Sequence, residues 1–355
     1  MRIFLTQEIL ETILLFCDAY PNLYKIFQDK PTFVFDLNDD ELDSILGDSG
    51  NDITQFLLGY DIEHKAQKGI LDNFKNNAKS MMDEPRGLFF LDVDEITANK
   101  IRIDYGVLVI SSEHIDDTIF DKGIFRYRID ANYKESGSIC NSWAKVLQDM
   151  KMMPCNSIVI SDSYMFNTAN IDIKCCVKNI EGLLDAVLPQ DFADTFHILL
   201  FTDEILGNND NIYKAIGDIK AYIKSKRSYD IILESVFYKS LHQRKIISNY
   251  NVILFDKGVV AFKENGREVK ATGTNCFQCS TVYENAKNFT GQSDFNIITK
   301  DLKDLQKWYI ECKDIVNKRI NDDSKKILGT NNTDKSLNNR IINHIQYSVN
   351  SYVID

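Results

Sequence analysis

Residues 87–111 read GLFFLDVDEITANKIRIDYGVLVIS, and the order of residue types in this stretch decides the fold class. A short apolar run ends at Asp92, a helical pattern fills about 93–103, Gly106 interrupts it, and VLVIS resumes a β-branched run. Continuous apolar runs without strict alternation mark strands buried on both faces, and a helix between two of them marks a parallel pair. The same alternation recurs upstream. Apolar residues at 5, 9, 10, 13, 14 and 17 share one helical face, so a helix is expected over 6–18. TFVFDL, from Thr32, is a short buried strand. NDDELDSILGD then offers Asn38 or Asp39 as an N-cap, acids in the first turn and Gly47 at the end of a further helix.

Downstream, DKGIFRYRIDANYKESGSIC is expected to cross between domains, and NSWAKVLQDMKMMPC to form a helix stopped near Pro154. Past a boundary near 130 come the strand SIVIS, a helix through IEGLLDAVLP, the strand in FHILLFTDE and a helix over YKAIGDIKAYIKSK. YDIILES, SLHQRKIISNY and NVILFDKGVVAFK follow. The fold class is therefore α/β, with two alternating α/β domains over 1–130 and 131–298. The second domain is expected to close with hairpin-like strands around Gly258 and Gly266. Residues 299–355 read as a C-terminal helix and tail. Leu302, Leu305, Trp308, Tyr309, Cys312, Ile315 and Val316 give that helix an apolar stripe that suits its own domain or a second copy.

At 355 residues and 44% hydrophobic composition, the chain can bury a large core. No apolar run reaches the ~18 residues of a membrane span, and Glu8 and Glu11 interrupt the apolar start, so a cytoplasmic protein without a secretory leader is expected. The eight cysteines (17, 140, 155, 175, 176, 276, 279 and 312) are scattered, and two are adjacent, which suits buried reduced thiols. CFQC at 276–279 lacks the second ligand pair that zinc needs, so no metal and no cofactor is expected. The net charge of −11 is uneven: residues 1–150 hold 15 Lys and Arg against 27 Asp and Glu, and 151–355 hold 26 against 25. This balance argues against general nucleic-acid binding and gives the first domain an acidic surface suited to an unknown protein partner. One basic patch stands out: Lys239, Arg244, Lys245, Lys257, Lys263, Arg267 and Lys270 against Asp256, Glu264 and Glu268.

Three strand ends carry polar residues in the second domain: Asp162 after SIVIS, Asp203 and Glu204 after FHILLFT, and His242 with Arg244 beside KIIS. Ligands of parallel sheets bind at such ends. The order SIVISDSYMFN, FHILLFTDE, YDIILES, LHQRKIISNYNVILFDKGVVAFK resembles the phospholipase D superfamily over about 155–290. It is most similar to the non-enzymatic C-terminal domain of MIT-domain-containing proteins. His242, Gln243, Arg244, Lys245 and Ile246, then Asn249 and the glycine-bearing DKGVVAF, carry the resemblance. Catalytic members carry H-x-K-x4-D, whose histidine attacks phosphorus, whose lysine neutralises the phosphate and whose aspartate supports the site. This chain reads H-x-R-x4-N at His242, Arg244 and Asn249. Arginine can hold a phosphate through two parallel hydrogen bonds, whereas asparagine supplies no charge to a nucleophilic histidine.

The resemblance thus implies a non-catalytic module binding a phosphate-bearing ligand, either a nucleic acid or an anionic headgroup, with His242, Arg244, Lys245, Lys263 and Asp162 lining the pocket. A single motif further implies a homodimer, the commonest closed assembly. The setting expected is an accessory component of a bacterial defence or nucleic-acid-processing system. The alternative is a phosphodiesterase or nuclease in which Asp162 supports His242. Bland readings stand beside both: His242 as a strand-edge histidine, and Arg244 as a surface cation paired with Glu234 or Asp162. Asp36, Asp92 and Asp94 at strand ends suit a magnesium site, but helix caps explain the same acids more simply.

Overall fold

The computed structural model describes residues 1–121, 126–129, 142–166, 172–202, 209–237, 244–255, 258–262, 275–281, 307 and 340. They form two compact units, the first holding residues 1–121 and 154–156.

In the first unit the order is β1 (Arg2–Leu5), α1 (Gln7–Leu15), α2 (Pro21–Gln28), β2 (Thr32–Phe35), α3 (Asp39–Leu46), α4 (Asp52–Gly59) and β3 (His64–Ala66). It continues with α5 (Ile70–Asn76), β4 (Leu88–Leu91), α6 (Glu95–Tyr105) and β5 (Leu108–Ser111). The sheet runs β3-β2-β1-β4-β5 with every pair parallel, as the apolar runs require. Phe4, Phe33, Val34, Phe89, Phe90 and Val109 are fully or almost fully buried, each contributing about 1.5–3 kcal/mol. Stops and starts follow local chemistry. Asn38 and Glu41 form a capping box on α3, and the Asp94 carboxylate accepts from the Thr97 N–H at 2.6 Å on α6. Gly106 ends α6 with φ +61, where a Cβ would overlap the Cys155 carbonyl. One cap is remote: Asp117 accepts from the Asn22 and Leu23 N–H groups at 3.1 and 2.8 Å and so starts α2 from 95 residues away.

The second unit holds β6 (Arg126–Ile129), α7 (Trp143–Asp149), β7 (Ser157–Ser161), α8 (Ile173–Val187), β8 (Phe196–Thr202), α9 (Asn209–Lys226) and β9 (Ile231–Phe237). β10 (Lys245–Ser248), β11 (Asn251–Phe255) and β12 (Asn275–Thr281) follow. Its sheet order is β6-β12-β11-β10-β7-β8-β9. β7, β8 and β9 are parallel, linked by α8 and α9, and the other pairs are antiparallel. The strands on either side of Gly258 and Gly266, β11 and β12, pair antiparallel as expected, and Gly258 has φ +99; Gly266 lies outside the described residues. A tighter hairpin joins β10 to β11 through the turn Asn249–Tyr250. Buried polar side chains hold that turn. The Asn249 side chain accepts from the Ser157 N–H, and the Asn251 N–H donates to the Ser248 Oγ at 3.1 Å. β6 pairs with β12, which places Arg126–Ile129 in the second sheet. Arg227, buried, donates to the carbonyls of Asp185, Leu188 and Pro189 at 2.9, 3.0 and 2.8 Å and so closes the end of α8.

No helix among the described residues is long and apolar enough to cross a membrane. Cys155 and Cys176 are buried and Cys17 and Cys175 half-buried. Burial pushes the Cys155 thiol up to about 12, so it stays protonated at neutral pH. The CFQC stretch falls in β12, and the helix expected over 299–328 lies outside the described residues apart from Lys307.

Candidate functional site

The register of β7 against β10 builds the site. Ser161 pairs with Lys245, so the next residue on one strand, Asp162, faces the preceding residue on the other, Arg244. Asp162 is buried, and its backbone N–H continues the β7–β8 ladder to the Phe201 carbonyl at 2.9 Å. Its Oδ1 accepts from the Tyr164 N–H at 3.0 Å and its Oδ2 from the Val259 N–H at 2.8 Å. Arg244 Nε stands 3.9 Å from Asp162 Oδ1, an ion pair too long to be a hydrogen bond. The guanidinium carbon lies 5.0 Å from the centre of the Tyr164 ring, a cation–π contact. The Arg244 side chain is 27% exposed and Tyr164 40% exposed, so this pair meets solvent above a buried carboxylate. Ser163, in the same turn, has a buried Oγ with no hydrogen-bond partner among the described residues.

The far wall is the loop 258–262, held at both ends. Gly258 allows the approach to Asp162: its positive φ favours glycine, and a Cβ there would overlap Asp162 Oδ2. From the other side, Asn179 on α8 reads the loop as a strand would. Its Oδ1 accepts from the Ala261 and Phe262 N–H groups at 3.0 and 2.8 Å, and its Nδ2 donates to the Phe262 carbonyl at 2.6 Å. An isolated asparagine in CCVKNIEG carries no sequence signal of that role.

Arg244 and Asp162 are the expected site residues that the structure brings together, and the expected pairing of Arg244 with Asp162 holds over that with Glu234. Lys245, the next residue along β10, is buried and turned to the opposite face. Asn249 stands five residues on, ~16 Å along the strand from Arg244, where its Oδ1 faces the Ser157 N–H. His242 and Lys263 lie outside the described residues. In the first unit, Asp36 accepts from the Gly69 and Leu71 N–H groups at the start of α5, Asp94 caps α6, and Asp92 pairs with Lys75 at 3.0 Å. No group of three or more His, Cys, Asp or Glu is placed to hold a metal ion among the described residues. Glu234 pairs instead with His197, Nε2 to Oε2 at 2.8 Å, both buried in β8 and β9. Its signal in the sequence is no more than a histidine and a glutamate in two neighbouring apolar runs.

Burial pushes the Asp162 carboxyl above the usual range, and the Val259 and Tyr164 N–H groups and Arg244 pull it back only in part. An acid raised in the folded state favours folding fully below its unfolded value, and that contribution is lost as pH rises through the folded value. Wild type is therefore expected to lose stability relative to Asp162→Asn as pH rises from the ordinary aspartate range, about 3.9, through the raised value. Urea unfolding of both proteins across that range checks this; a difference that is flat or grows with pH contradicts it.

Compared with known proteins, the chain matches no family model and no curated sequence.

Proposed function

We propose that the second unit is a non-catalytic phospholipase-D-like module that binds a phosphate-type anion where β7 and β10 meet, at Arg244 and the Asp162–Tyr164 turn. The observation that carries this reading is the partly exposed Arg244 side chain, its guanidinium set between the Tyr164 ring and the buried Asp162 carboxylate. A guanidinium fixed in orientation loses less freedom when it grips a phosphate. The four stretches that carry the resemblance supply β7, β8, β9 and the β10–β11 hairpin of one sheet, which supports the likeness. Two features support binding over catalysis. Asp162 gives both its oxygens to backbone N–H groups, and Asn249 stands at the other end of β10 from Arg244.

Calorimetric titration with inorganic phosphate tests the site. Arg244→Ala is expected to weaken binding at least tenfold, about 1.4 kcal/mol, and Arg244→Lys to recover part of it. The purified chain is expected to cleave neither phospholipid nor nucleic acid. Hydrolysis abolished by His242→Ala, or a phosphohistidine trapped at His242, would establish the enzyme instead, and equal phosphate affinity in Arg244→Ala would remove the site. A homodimer sharing the site belongs to the same reading: light scattering is expected to give twice the 40.8 kDa chain mass, and a monomer at micromolar concentration refutes it.

A further inference from the structure

The first unit carries a surface that the anion site does not explain. Leu15 and Phe16, where α1 ends, are 74% and 54% exposed, and Leu58 near the end of α4 is 69% exposed. Single exposed apolar residues are ordinary, but these are joined. α1 packs against both α4 and α2, and Tyr60 follows α4. The Phe56 ring lies 6.1 Å from Tyr24 and 5.0 Å from Tyr60, and the Gln28 side chain donates to the Tyr60 hydroxyl at 2.7 Å. The ends of the two helices thus present leucine and phenylalanine around a fixed aromatic base.

Acids surround that surface. Glu8 and Glu11 line up with Leu15 on the exposed face of α1, Asp52 and Gln55 lead to Leu58 on α4, and Asp18 and Asp61 follow the two helices. Residues 1–64 hold 13 Asp and Glu against three Lys and Arg, and one of those cations, Lys30, already pairs with Asp61 at 3.1 Å. The sign of this rim selects the occupant. A second copy would set the same acids against each other, and an anionic membrane or a nucleic acid would be repelled likewise. An apolar stripe flanked by lysine and arginine meets both the leucines and the rim.

We infer that the ends of α1 and α4 form a docking face for a basic amphipathic helix of a partner protein, seated through apolar anchors at i, i+3, i+4 and i+7. The face goes beyond the anion-binding reading and does not depend on it.

The test uses the full chain and a labelled synthetic helix of about 18 residues with a leucine stripe and lysine flanks, followed by fluorescence anisotropy. Binding is expected to weaken at least tenfold in Leu15→Ser/Leu58→Ser and in Glu8→Lys/Glu11→Lys, to fall with added salt, and to vanish for the same peptide with glutamate flanks. All four substitutions lie at exposed positions, and unchanged circular dichroism confirms that the variants fold. No binding of the lysine-flanked peptide overturns the inference, as does wild-type affinity in both variants. A dimer-to-monomer change in Leu15→Ser/Leu58→Ser with peptide affinity unaltered would assign the face to a second copy and also overturn it. Arg244→Ala is expected to leave peptide binding unchanged.

Discussion

Gly106→Ala is expected to lower the stability of the first unit by about 3–4 kcal/mol, enough to unfold a marginal domain at physiological temperature. Gly106 ends α6 with φ +61, a conformation that costs an L-residue about 1 kcal/mol. A Cβ there would also overlap the carbonyl carbon and oxygen of Cys155 and the amide nitrogen of Asn156. These are backbone atoms and cannot rotate away as a side-chain tip could. The close approach matters further because the Asn156 side chain donates to the Tyr105 carbonyl at 3.2 Å, so pushing residues 155–156 outward also strips a carbonyl of the last turn of α6. Added volume in such a packed contact costs about 1–3 kcal/mol beyond the backbone term. No tryptophan falls within residues 1–121 or 154–156, so hydrogen exchange read on peptides from 88–111 is the measurement. Gly59→Ala, where a Cβ meets nothing within 4 Å, is the matched control and should leave exchange unchanged. Equal protection in Gly106→Ala and wild type would refute the steric argument.

Asn179→Ala is expected to destabilise the second unit by about 3–5 kcal/mol and to weaken phosphate binding without touching the anion. The substitution leaves the Ala261 and Phe262 N–H groups and the Phe262 carbonyl buried without the side chain that satisfies them, each costing about 1–3 kcal/mol. Alanine's better helix propensity returns only ~0.6 kcal/mol to α8. The released loop is the one that Asp162 grips at Val259, and Asp162 in turn stands beside Arg244, so the loss reaches the anion site through two hydrogen bonds and an ion pair. Trp143 reports on the same segment, with its ring 5.9 Å from Phe262 and 6.1 Å from Phe255. Its fluorescence is expected to shift at lower denaturant in the variant than in wild type. Asn179→Asp separates the two halves of the amide: it keeps both acceptor bonds but sets a charge against the Phe262 and Cys175 carbonyls, and should also be severe. A variant as stable as wild type would show that the loop holds itself.

The sequence alone determined what neighbouring residues determine. The strands around 32–35, 88–91, 108–111, 157–161 and 196–202 and the helices that follow several of them were legible as apolar runs and helical periods, because burial acts on every residue of a run at once. Caps were legible for the same local reason: Asn38 meets Glu41, and Asp94 meets Thr97, three residues away. Short helices such as α2 and α4, at eight residues each, were not, since so few turns carry little period and α2 takes its cap from Asp117, 95 residues on. The site itself was decided by the tertiary structure. The sequence placed Asp162 and Arg244 among its candidates, but Val259 and Asn179 join the same wall only through strand order and a crossover helix, across 97 and 82 residues. By the same geometry the tertiary structure parted residues that the motif held together, setting Lys245 on the other face of β10 and Asn249 at its other end. The reason is that a strand turns alternate side chains to opposite faces and advances ~3.3 Å per residue, so closeness in a motif is distance in a sheet.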